Sequence, residues 1–101
     1  MYMSIRAKES LASAHEGHIE VMLVWGGTGE CKEAEVGLDE TAGQVFDHVF
    51  ARFHQPKSDR DSFEVDGRDF SRSRFGETVR SLVRQYGKDL EFEVIPPSSG
   101  A

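Results

Sequence analysis

The stretch HIEVMLVWGGTGECKEAEVGLDETAGQVFDHVFARF, residues 18–53, decides how this chain folds. Ile19, Val21, Leu23 and Trp25 fall at every second position with Glu20 between them, the pattern of a strand that buries one face. GGTG at 26–29 separates two extended runs and reads as a hairpin connection. A phosphate-binding loop would need a Lys-Ser/Thr pair and a following helix, and neither is there. ECKEAEV at 30–36 then returns as a second strand, with Glu33 and Glu35 alternating with Ala34 and Val36.

A helix begins at Thr41. Thr41 and Gln44 form a capping-box pair, and Asp39 and Glu40 set negative charge beside the positive end of the helix dipole. Ala42, Val45, Phe46, Val49, Phe50 and Phe53 recur at three- and four-residue steps, a broad apolar stripe expected to face the core. Pro56 is expected to end the helix.

Beyond the polar loop KSDRD, the run SFEVDGRDF makes a short hairpin or corner. Asp66-Gly67 is its tight-turn dipeptide, with Phe63–Val65 and Arg68–Phe70 on either side. SRSRFGETVRSLVRQYG is expected to hold a second helix over about 74–86 with Phe75, Val79, Leu82, Val83 and Tyr86 inward and Gly87 as its stop. DLEFEVI closes the series as a strand, with Leu90, Phe92 and Val94 on one face and Glu91, Glu93 and Ile95 on the other. The order is strand, strand, helix, short extended pair, helix, strand. It implies one α+β domain over 18–95, a flexible arm at 1–17 and a flexible tail at 96–101.

Composition narrows the function. The chain has 101 residues, 38% hydrophobic and 30% charged, with a net charge of −6. That charge argues against nucleic acid as the main partner, because phosphate binding needs a positive field. Arg68, Arg72, Arg74, Arg80 and Arg84 form a locally basic stretch whose plainest explanation is a solvated helix face. No apolar run is long enough to span a membrane, and the opening residues lack the apolar stretch of a secretory signal, so a cytoplasmic location is the expectation. Cys31 is the single cysteine, which rules out an internal disulfide. His15, His18, His48 and His54 match no metal-ligand spacing, and no catalytic constellation is legible, so neither a metal, a cofactor nor an enzymatic activity is expected.

The stretch 18–53 resembles the opening strand, turn, second strand and helix of ubiquitin-like proteins, with DETAGQVF at the helix entry. SFEVDGRDF is similar to their short strand and following x-G-K/R-x-L corner, and DLEFEVIPPSSGA to their last strand and protruding tail. The fuller second helix is more similar to bacterial ubiquitin-like modifiers encoded beside activating-enzyme, conjugating-enzyme and JAB-peptidase genes. The resemblance implies a β-grasp roll, a mixed sheet of four to five strands around one main helix, with the first and last strands parallel at its centre.

It also implies a modifier that works through a C-terminal glycine. An activating enzyme would adenylate Gly100 with ATP, capture it as a thioester and pass it to a conjugating enzyme and a target. A JAB-type peptidase would first remove Ala101. Pro96 and Pro97 would stiffen the exit, and Ser98 and Ser99 would add reach without bulk. The sequence departs from the family here, ending Ser99-Gly100-Ala101 where members carry two glycines. Outward sheet positions that would meet a partner are Glu20, Met22, Glu64, Glu91, Glu93 and Ile95, a mostly acidic set that would call for basic residues opposite. Two other roles stay open: a non-covalent binding adaptor, and a sulfur carrier using the same glycine as a thiocarboxylate.

Overall fold

The computed structural model describes residues 17–97. The arm expected at 1–17 lies outside that range apart from Gly17, as do Ser98, Ser99, Gly100 and Ala101.

β1 (His18–Trp25) and β2 (Glu30–Gly37) form an antiparallel hairpin joined by the glycine turn. α1 (Ala42–Phe53) crosses the sheet, β3 (Ser62–Val65) and β4 (Arg68–Asp69) make the short hairpin, α2 (Val79–Tyr86) follows, and β5 (Glu91–Ile95) ends the series. The sheet order is β2-β1-β5-β3-β4. β5 enters the middle, parallel to β1 and antiparallel to β3. The mixed five-stranded sheet and two helices are those expected from the sequence.

α1 forms where its caps and stripe direct. Thr41 Oγ1 accepts from the Gln44 N–H at 3.2 Å, and Gln44 Oε1 accepts from the Thr41 N–H at 2.8 Å, completing the capping box. All six residues of the apolar stripe are buried against the sheet. Phe46 is at the centre, with ring centroids 4.9 Å from Phe63, 5.2 Å from Phe75 and 5.4 Å from Phe92. Edge-to-face geometry dominates these pairs, which places ring edges against the negative faces of their neighbours.

Two helix boundaries differ from the sequence reading. α1 stops at Phe53, and the residue that turns the chain is His54 in the left-handed region (φ 55°), before Pro56 is reached. Its N–H and that of Gln55 reach back to the carbonyls of Ala51 and Phe50, so the last turn is closed by the backbone itself. The second helix starts later than about 74. Arg72–Arg74 form a single 3₁₀ turn, and α2 begins only after Thr78, whose Oγ1 accepts from the Ser81 N–H at 3.2 Å.

The reason lies in how the two helix starts meet. Ala42 and Gly43, at the start of α1, donate to the carbonyls of Glu77 and Phe75. Val79 and Arg80, at the start of α2, donate to the carbonyls of Glu40 and Leu38. The segment before each helix therefore accepts first-turn amides of the other helix that would otherwise lack a partner. Phe75 and Glu77 supply these acceptors, and the chain at 75–77 stays a turn until Thr78 caps α2. Phe75 still packs inward, against Phe46, Phe63 and Phe70.

Candidate functional site

Pleating and register define the face of the sheet turned away from α1. Across it run Cys31, Val24, Glu93, Glu64 and Asp69 in one row, and Glu33, Met22 and Glu91 in the next. Glu20 and Glu35 pair beyond them, and Ile95 pairs with Ser62 at the other end. The outward positions named from the sequence, Glu20, Met22, Glu64, Glu91, Glu93 and Ile95, thus share this face. Glu33, Glu35 and Asp69 join them, and among the described residues no lysine or arginine occupies an outward register position. A depression of about 330 Å³ opens at one end, lined by Glu20, Met22, Glu33, Asp89 and Glu91 among others.

Such crowding has an electrostatic consequence. Burial pushes the Glu93 carboxyl above its ordinary value, and the charges on Glu64 and Glu91 push it further. Val24 is 5% exposed although it points outward. The face therefore combines a small apolar centre with a wide acidic surround.

At one end of this face, β5 hands over to Pro96 and Pro97, both half-buried. The glycine turn lies directly beside them. The Gly26 N–H donates to Val94 O at 2.7 Å, and the Gly29 N–H donates to Trp25 O at 2.8 Å. Trp25 is buried, edge-on to Phe50 with centroids 5.9 Å apart. The candidate reactive residue Gly100, the processing residue Ala101, and Ser98 and Ser99 lie outside the described residues.

The remaining candidates have structural work. Arg72 donates from Nη2 to the carbonyls of Ser58, Asp59 and Asp61 and lies over the Phe63 ring. Arg74 is clasped by Glu77 at 2.7 Å and lies over Phe70. The Arg74 hydrogen bonds, followed by one from Gln85, pull the Glu77 carboxyl down to about 2. Arg80 reaches Asp39. The basic stretch therefore ties loops and helix ends together, with three of its members already engaged.

His48 Nε2 lies 2.9 Å from Glu40, whose other oxygen accepts from the Gly37 N–H. Burial alone would raise Glu40, but these two partners hold it below its ordinary value. Cys31 is exposed. Among the described residues no group of three or more His, Cys, Asp or Glu side chains could hold a metal ion, and no helix is long and apolar enough to cross a membrane.

No protein-family model matches the sequence, and no curated protein matches it. Solved structures do. The chain is similar to Caldiarchaeum subterraneum ubiquitin at 28% identity and TM-score 0.62, covering 84% of this chain and 100% of that one. It is similar in fold to the ubiquitin-like domain of tubulin-binding cofactor B, at 10% identity and TM-score 0.59 over 83% of this chain and 94% of that one. The Haloferax volcanii HVO 2177 protein gives 18% identity and TM-score 0.54 over 84% and 89%. With a parallel β1–β5 centre and a helix clasped by the sheet, this is a ubiquitin-like β-grasp protein.

Proposed function

We propose that the chain is a ubiquitin-like protein modifier with no catalysis of its own. Cleavage of the Gly100–Ala101 bond by a JAB-type peptidase exposes the Gly100 carboxylate. An activating enzyme joins that carboxylate to the α-phosphate of ATP, releasing pyrophosphate. A cysteine thiolate of the same enzyme displaces AMP to give a thioester. Transfer through a conjugating enzyme ends when a nucleophile on the target expels the thiolate.

The observation that carries the proposal is the placement of the last strand. β5 is paired on both sides, and the chain leaves its end through two consecutive prolines. Consecutive prolines favour an extended, stiff exit, which suits delivery of a chain end into an enzyme channel. Glycine at the end suits such a channel because it has no Cβ to collide with the walls. Similarity to a ubiquitin along that protein's entire length supports the same reading.

The test is incubation of the chain, trimmed to Gly100, with ATP and a cognate activating enzyme. A thiol-sensitive adduct carrying the full mass of the chain is expected, and it disappears when Gly100 is deleted. Absence of any adduct with active enzyme, or its persistence without Gly100, rejects the proposal.

The acidic sheet face favours a second reading, a non-covalent adaptor. Glu20, Met22, Glu64, Glu91, Glu93 and Ile95 then form the contact surface for a partner rich in lysine and arginine, and binding weakens as salt rises. In that case removing residues 98–101 leaves binding intact and Glu91→Lys with Glu93→Lys abolishes it. Under the modifier reading the truncation is the damaging change.

A further inference from the structure

The glycine turn and the base of the tail lie far apart in the sequence, yet they are packed without room for a single extra carbon. A Cβ on Gly27 would lie 2.9 Å from Trp25 Nε1 and 3.2 Å from Pro96 Cγ. A Cβ on Gly26 would lie 3.0 Å from both Ile95 Cγ1 and Val94 O. Only glycine permits so close an approach. The indole that backs this contact is itself immobilised: Trp25 is 6% exposed, rests on Phe50 of α1, and is in register with Val94 of β5.

We propose that Trp25, Gly26 and Gly27 are positioning residues which seat Pro96 and so set the direction in which the chain leaves the fold at Pro97. Proline transmits that direction well. Its ring fixes φ, it restricts Ile95 before it to extended backbone, and the Pro96-Pro97 pair is stiff. A tilt of about 15° at the seat, carried along the stiff Pro96-Pro97 pair of about 6 Å, moves the point from which the chain continues by about 1.5 Å. That shift biases how the chain beyond is presented to an enzyme, and misplacement of reacting groups by about 1 Å can cost about a hundredfold in rate.

The consequence for reaction rate rests on the modifier proposal above; the seat itself does not. Two measurements separate them. Trp25 is the single tryptophan, so its emission reports on the seat directly. Pro96→Ala, and separately truncation after Ile95, are expected to red-shift that emission and to raise acrylamide quenching about twofold, while circular dichroism stays that of the folded chain. Unchanged emission and quenching in both variants overturn the seat.

The second measurement uses an activating enzyme that charges the wild-type chain, with the chain as varied substrate. Gly27→Ala is expected to lower kcat about fivefold or more at little change in KM, because the body still docks while its carboxylate is misdirected. Mere destabilisation has the opposite signature. Unfolded chains only dilute the substrate, which raises apparent KM and leaves kcat alone. A KM effect without a kcat effect, or no effect, overturns the positioning role. If no such enzyme charges the wild type, the modifier proposal fails while the fluorescence result still decides the seat.

Discussion

Replacing Glu93 by Gln is expected to make the fold more stable at neutral pH. Glu93 faces Glu64 across the β3–β5 register, with Glu91 two residues along the same strand and Val24 on its other side. Like charges opposed across strands destabilise by roughly 0.2–1 kcal/mol per pair. One direct pair and one neighbour along the strand give an expected gain of about 0.5–1 kcal/mol on removing the charge. In a domain of this size that is a rise in Tm of about 2–8 °C. Glutamine keeps the shape, so the packing beside Gly26 and Val24 is retained.

The pH dependence follows from the direction of the shift. Burial, then Glu64 and Glu91, raise the folded-state value of Glu93, so the folded chain holds this proton more tightly than the unfolded chain. The cost of charging Glu93 is absent below the ordinary carboxylate value and complete above the raised one. Wild type therefore falls behind Glu93→Gln as pH climbs through that window, and the two converge near about pH 3.5. Urea unfolding of both proteins at pH 7 and at the acid end, followed by Trp25 emission, measures the gap. High salt narrows it at pH 7. A glutamine variant no more stable than wild type at pH 7, or a gap that persists in acid, refutes the account of this face.

Phe46→Ala removes the ring at the hub of the aromatic core and is expected to cost about 3–5 kcal/mol, against a total of about 4–12 kcal/mol for a fold of this length; the midpoint of urea unfolding reads it. Thr41→Ala deletes the side-chain half of the capping box and is expected to cost about 1 kcal/mol, with faster amide exchange in the first turn of α1. Glu77→Gln acts at low pH. Because Glu77 sits at about 2 when folded, its partnership with Arg74 stabilises above the ordinary carboxylate range and is lost as pH falls from there toward about 2. The variant is expected to lack that portion of the acid transition, which a circular dichroism titration of both proteins reveals.

Much of this architecture was legible because local and tertiary preferences agree. The alternation in HIEVMLVW, the capping box at Thr41 and the stripe from Ala42 to Phe53 each name an element and its buried face, and the sheet uses them as written. The acidic face was partly legible: Glu33 and Glu35 alternate visibly along β2. Their place beside Met22 and Glu20, however, depends on which strands are neighbours. The end of α1 was misplaced because Pro56 is the conspicuous breaker, whereas the left-handed stop falls on His54, a residue type with no strong signal for it. The late start of α2 had no local signal strong enough to outweigh its helical period. It depends on amides at 79–80 finding carbonyls at 38–40, a pairing set by the fold. The same holds for the seat around Pro96, where GGTG reads as an ordinary turn until the far end of the chain is brought against it.

The position of β5 has a consequence for how the protein is made. Until Ile95 has been synthesised, β1 has a partner on one side only, and its other edge presents unpaired amides and carbonyls beside Leu23 and Trp25. Such an edge invites wrong partners. A nascent chain can complete the β1–β2 hairpin early, but β3 and β4 have nothing to join it to until the last strand slots between the two halves. Assembly is therefore gated by the synthesis of β5, and premature termination before residue 91 leaves two hairpins without the strand that pairs with both.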